Sequence, residues 1–142
     1  MATNDDSNLK LDQKGLDELA YMQQVYQNQY NLVGNNINLL LQEVQRLNSA
    51  QKTIENLNLV KGKDVITNIG ADFYLFGKVP NPDTVLVGVG AGYLVEKDPE
   101  SAKEYVASLI KRRTEDLNLL TKNRKELENA LVEISYRMEN SR

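Results

Sequence analysis

Leu16–Ile54 reads LDELAYMQQVYQNQYNLVGNNINLLLQEVQRLNSAQKTI, and the 3–4 spacing of its apolar residues holds without a break. Written as heptads, position a carries Leu16, Gln23, Tyr30, Ile37, Val44 and Gln51, and position d carries Leu19, Tyr26, Val33, Leu40, Leu47 and Ile54. Ten of these twelve are apolar or Tyr, and a seam that long is the signature of a coiled coil rather than of a helix in a globule. A second seam runs through Val106, Ile110, Arg113, Leu117, Leu120, Arg124, Leu127, Leu131, Ile134 and Met138, with eight of the ten apolar. The polar members (Gln23, Gln51, Arg113, Arg124) set register at some cost in stability.

The flanks bound these two helices. The first is expected over residues 12–61, ending near Lys61-Gly62, where glycine can take the left-handed C′ conformation. The second, over 98–142, opens at Asp98-Pro99-Glu100: a cap acceptor, a proline at N1 and an acid on the positive end of the dipole. Proline occurs only at 80, 82 and 99, never inside either seam. At a rise of 1.5 Å per residue each arm is about 65–75 Å long. Residues 1–11 read as a flexible terminus.

Residues 62–97 change character. Val65-Ile66, Asp72–Val79, Thr84–Val89 and Tyr93–Glu96 are short β-branched and aromatic runs separated by Gly, Pro, Asn and Asp, hence strands and hairpins. Ile69-Gly70-Ala71-Asp72-Phe73-Tyr74-Leu75 recurs twenty residues later as Val89-Gly90-Ala91-Gly92-Tyr93-Leu94-Val95, which predicts two similar hairpins. A helix, two hairpins and a returning helix make an α+β chain whose two long helices form an antiparallel coiled coil. Two hairpins alone bury too little to be stable in water, and their edges are open to pairing. The insert is therefore expected to complete a sheet or barrel with other subunits through Val65, Ile69, Phe73, Leu75, Val85, Val87, Val89, Gly90 and Gly92.

Val87-Gly88-Val89-Gly90-Ala91-Gly92, followed by Tyr93–Lys97 and the helix start at Asp98, resembles the second hairpin of α-class prefoldin subunits, and the resemblance covers nearly the whole chain. Two hairpins rather than one also point to the α class over the β class. The departure is Asp72, where the family's first copy tends to have Gly; Asp tolerates positive φ better than most residues, which would preserve the turn. The resemblance implies a hexamer of two α and four β-type prefoldin subunits, with hairpins forming a β-barrel platform from which six coiled coils hang. It further implies an ATP-independent molecular chaperone, a holdase. Such a subunit binds unfolded client proteins, actin-like and tubulin-like chains among them in eukaryotes, and passes them to a group II chaperonin.

Composition narrows the rest. Among the 142 residues there is no Cys, His or Trp, so no thiol nucleophile, imidazole base or zinc site of the usual ligands is available. The net charge of −3 is mixed along the chain and predicts neither nucleic acid nor membrane as a partner. The polar Met1–Asn8 is unlike a signal peptide; a cytoplasmic location fits. Gly88–Gly92 could suggest a phosphate loop, but a strand rather than a helix follows it, so a hairpin turn is expected and no cofactor. Lys111-Arg112-Arg113 precedes Glu115-Asp116 and reads as a solvated face with ion pairs. Arg113, on the seam, is expected level with Glu43–Gln45, where a Glu43 pair would satisfy it. Paired acids such as Asp17-Glu18 and Glu126/Glu128 have nothing to desolvate them, so no enzyme is expected.

Two features go beyond a plain coiled coil. Positions c of the first helix are Leu11, Glu18, Val25, Leu32 and Leu39, a second apolar stripe. Either a wider seam buries it or it is a client-binding or arm-to-arm surface. Near the free ends, Tyr21 and Tyr136 fall at f, Met22 borders Tyr21, and Met138 is the last seam residue. Fraying there would expose Leu16, Leu19 and Ile134. These seven residues are the expected client-binding tips, because Met and Tyr suit adaptable apolar contact. The rival expectation is a structural coiled-coil adaptor that joins folded partners and ignores unfolded ones.

Overall fold

The computed structural model describes residues 12–141. In order they form α1 (Gln13–Glu55), a 3₁₀ turn (Leu57–Val60), β1 (Asp64–Gly70), β2 (Phe73–Lys78), β3 (Val85–Gly90), β4 (Tyr93–Lys97) and α2 (Pro99–Asn140). Two compact units divide the chain: one holds the residues up to Leu41 with those from Glu115 onward, the other Gln42–Thr114.

Both helix starts are capped by aspartate. The Asp12 carboxylate accepts from the Gly15 N–H at 2.8 Å and the Asp98 carboxylate from the Ser101 N–H at 2.7 Å, satisfying donors that the first helical turn leaves unpaired. The Ser101 N–H and then its hydroxyl hold the Asp98 carboxyl below its ordinary pKa, helped by the charge of Lys97.

In the unit formed by the first half of α1 and the end of α2, the seam is as spaced. Leu19 and Ile37 are buried on α1 and Ile134 on α2, and the other seam residues are half-buried. The Gln23 side-chain amide donates to the Ser135 hydroxyl at 3.2 Å, so α1 near its start lies beside α2 near its end, antiparallel. The apolar c stripe is not absorbed by a wider seam: Val25 is half-buried, but Leu32 and Leu39 are 61% and 63% exposed. Leu11 lies outside the described residues.

In the other unit, Arg113 Nε donates to Glu43 Oε1 at 2.8 Å, the pairing expected from the seam. Ala102 and Val106 are buried at the start of α2. The α-helix ends at Glu55, however, and does not continue to residue 61. The Asn56 side chain donates to the Lys52 carbonyl at 2.9 Å and competes for the last turn. The chain then tightens into a 3₁₀ turn in which Leu57 and Val60, three apart, share the half-buried side. Gly62 does take positive φ, 72°, but after that turn rather than as the cap of α1. Lys61 bridges to Val79, and Pro82 between the hairpins is buried.

The insert is two separate two-stranded antiparallel sheets, β1–β2 and β3–β4. Each closes in the same way, Gly70 opposite Phe73 and Gly90 opposite Tyr93, with one residue stepping out of register just before (Ile69, Val89). The turns differ in one respect. Ala91 (φ 52°) and Gly92 (φ 78°) are both left-handed, as a type I′ hairpin requires. In the first turn only Ala71 (φ 48°) is left-handed, so Asp72 keeps the turn without adopting positive φ. Asn68 supplies the support instead: its side chain accepts from the Gly70 N–H and donates to the Ala71 carbonyl, both at 2.9 Å.

Candidate functional site

Two groups of residues have chemistry left over once the fold is accounted for. The first is the hairpin pair. Alternation puts Ile66, Tyr74 and Phe76 on one face of β1–β2, and Phe73, Leu75 and Val65 on the other. Of these only Val65 is even half-buried, and Phe76 is 80% exposed. In β3–β4, Val85 and Val87 are half-buried, while Leu86 and Leu94 on the opposite face are exposed, as is Val89 in the register step. The insert thus offers apolar side chains on both faces, with unpaired edges, in sheets too small to be stable alone. Gly90 (φ 112°) and Gly92 matter for their backbone conformation and not for close packing, since a Cβ on either would meet nothing within 4 Å.

The second group lies in the unit formed by the two helix ends. Around the Gln23–Ser135 bond, Tyr21 is 69% and Tyr136 68% exposed, and Met22 is also open. Leu19 and Ile134 are buried, and Leu16 and Met138 half-buried. The expected tip residues therefore come together from both helices but divide into an outward set (Tyr21, Met22, Tyr136) and a seam set (Leu16, Leu19, Ile134, Met138). Tyr21 and Met22 line a shallow groove of about 510 Å³ with Lys14, Asp17 and Glu18. A second groove of about 500 Å³ further along, lined by Tyr26, Leu32 and Val33 of α1 and Leu127 and Ala130 of α2, was not anticipated. Its sequence signal was Leu32 at c together with the small Ala130 on the facing helix.

Asp17, Glu18, Glu126 and Glu128 are exposed on their helices, Lys125 pairing with Glu128 at 3.8 Å. Among the described residues, no helix is long and apolar enough to cross a membrane.

Known proteins share this arrangement. The prefoldin subunit family model matches residues 26–141. Prefoldin subunit alpha 1 of Thermococcus kodakarensis is 36% identical over 101 residues, 70% of this chain and 69% of that one. Prefoldin subunit alpha of Pyrococcus horikoshii is 28% identical over 127 residues, 88% and 81% of the two chains. Among solved structures, filamentous prefoldin from Methanocaldococcus jannaschii superposes with a TM-score of 0.57 at 26% identity, covering 82% of this chain and 92% of that one. With two hairpins between two seamed helices and relatives that carry the alpha name, this chain belongs to the prefoldin family as an α-class subunit.

Proposed function

We propose that this prefoldin chaperone subunit is an ATP-independent holdase that captures non-native polypeptides at the free ends of its helices and passes them to a group II chaperonin in the cytoplasm. The observation that carries the reading is the outward set: two tyrosines and a methionine stand in water beside the Gln23–Ser135 bond, where nothing in the coiled coil needs them. Large, adaptable apolar groups of this kind match the irregular hydrophobic segments of unfolded chains. Leu16, Leu19, Ile134 and Met138 join them when the last turns open, because terminal heptads have neighbours on one side only. The hairpins serve the other need. Their exposed faces and edges suit a β-barrel platform shared with β-type subunits, two α to four β, and a family member of similar fold is itself assembled, as a filament.

The test removes residues 1–22 together with 134–142 and measures both the mass of the native assembly and the protection of several unrelated aggregating clients. Assembly is expected intact and protection reduced. Unchanged protection would end the tip reading, and selective binding to one folded partner would favour an adaptor.

A further inference from the structure

From Leu19 to Gln42 the sequence carries no charged residue, although most of this stretch of α1 is solvent-exposed. Its outer face is built from amides (Gln27, Asn28, Asn31, Asn35, Asn36, Asn38) and from the exposed Leu32 and Leu39. The contrast lies across the seam in the same unit, where α2 exposes Glu115, Asp116, Lys122, Lys125, Glu128, Glu133 and Arg137. Solubility alone would favour charges on α1 as well. Helix formation would also favour other residues, since Asn and Gly34 are poor helix formers. A local choice that works against both usually marks a functional surface. Into this face opens the groove of about 500 Å³, apolar at Tyr26, Leu32, Val33 and Leu127, with Gln29 and Asn123 on its rim and Glu126 as its one charged lining residue.

We propose that this charge-free face is a second capture surface, which binds extended apolar segments of non-native polypeptide part-way along α1. The inference rests on the capture reading above and places a site where that reading has none. Three features fit this occupant. The leucines and the groove take apolar side chains. Primary amides both donate and accept, so Gln29 and Asn123 can pair with the main-chain N–H and C=O groups that an unfolded segment leaves open. The absence of charge on this part of α1 lets segments of either sign approach and, with Glu126 the single charge lining the groove, leaves binding only weakly sensitive to salt. A second copy of the chain fits less well. Leu32 and Leu39 are two helical turns, about 11 Å, apart, so with their side chains they form a strip about 15 Å long and 10 Å wide that buries roughly 150 Å² per side, far below the roughly 1,000 Å² total that a specific interface needs. An unfolded chain needs no such area at one place, because it makes many weak contacts at once.

The experiment uses the full-length chain in its native assembly, with a photo-crosslinking residue at Asn36, which neighbours both Leu32 and Leu39 on the helix surface. The same residue goes at Tyr21 for the tip, and at the exposed Leu119 of α2 as control. The probe is fluorescent, reduced and carboxymethylated α-lactalbumin, which stays unfolded. Crosslinking at Asn36 is expected to reach several times the Leu119 yield, to change less than about twofold between low and high salt, and to fall about tenfold in the L32K/L39K variant, the loss for one well-buried leucine contact. Labelling at Tyr21 should survive that variant. A yield at Asn36 no higher than at Leu119, with Tyr21 still labelled, overturns the second surface and leaves the tips standing. Labelling at neither position removes the capture reading itself, and a crosslink from Asn36 to another copy of the chain overturns the proposal in favour of an interface between copies.

Discussion

Replacing glycine by alanine should act in opposite directions at two positions. Gly34 sits inside α1 with helical neighbours on both sides, and a Cβ there would meet nothing within 4 Å. Alanine gains the helix-propensity difference, about 1 kcal/mol, with no clash to offset it. Gly92 sits at φ 78° in the second hairpin turn, again with open space around a Cβ. There the left-handed conformation costs an L-residue about 1–2 kcal/mol, reduced by the roughly 0.4–1 kcal/mol that alanine removes from the entropy of the unfolded chain. The net loss is about 1 kcal/mol, so the two variants should lie about 2 kcal/mol apart, although neither touches another side chain. Thermal unfolding followed by helical circular dichroism, at one fixed protein concentration because assembly contributes to stability, should place Gly34→Ala about 2–4 °C above the parent and Gly92→Ala about as far below. Destabilisation by Gly34→Ala would refute the reasoning at its source, because a surface from another chain would then have to occupy the space beside the α1 backbone. Equal shifts at the two sites would refute the assignment of the turn.

Arg113→Leu should leave the denaturant midpoint nearly unchanged, since both partners of the Glu43 pair are a third or more exposed and such pairs contribute about 1 kcal/mol or less; a large loss would show that the pair is desolvated in the assembly. Asn68→Ala removes both side-chain hydrogen bonds that support the first turn and should cost about 1 kcal/mol, read by urea unfolding, while the equivalent turn at Ala91 is unaffected. The Asp98 carboxyl titrates below its ordinary 3.8 in the folded chain, so its contribution to the start of α2 is complete above that value and is lost as pH falls through the lower folded value. Asp98→Asn should flatten this acid-limb dependence in pH-dependent circular dichroism. An unaltered acid limb would mean that another carboxylate carries it.

The seams were legible because burial along a long helix pair follows a period of 3.5, and every one of their twenty-two positions is at least half-buried, the four polar ones included. The Glu43–Arg113 pair followed from the same register. Hairpin number and closure were legible from the Ile/Val-Gly-Ala repeat, since short turns admit few residues. What escaped was decided by side chains acting on backbone nearby. Asn56 breaks the end of α1 although apolar residues continue past it at Leu57 and Val60. Asn68 carries the first turn, a task that seemed to fall on Asp72. Both are asparagines whose amides compete with, or substitute for, main-chain partners, and apolar periodicity has no term for that. β1 likewise runs through Thr67 and Asn68 to Gly70, well beyond Val65-Ile66, because pairing with β2 extends it where composition did not.

The distribution of apolar groups also fits the proposal that one chain serves both as a platform and as a capture surface. Among the described residues the buried apolar side chains are Leu19, Ile37, Ala102, Val106 and Ile134 of α1 and α2, with Pro82 between the hairpins. The strands bury none, yet hold more than half of the large exposed apolar side chains, including Ile66, Phe73, Phe76, Tyr93 and Leu94. A two-stranded sheet in that condition has a favourable free energy only when another surface covers it. The stability of the insert is therefore tied to the concentration of its partners by mass action. The helix ends are different: their seam closes on itself, through Leu19 and Ile134, and leaves Tyr21, Met22 and Tyr136 outside it. Residues that folding does not consume and that assembly through the insert does not need remain free for a transient occupant. The proposed weak, renewable contact at that end and the obligatory contact at the insert rest on the same physical difference, which is whether the covering surface comes from within the chain or from outside it.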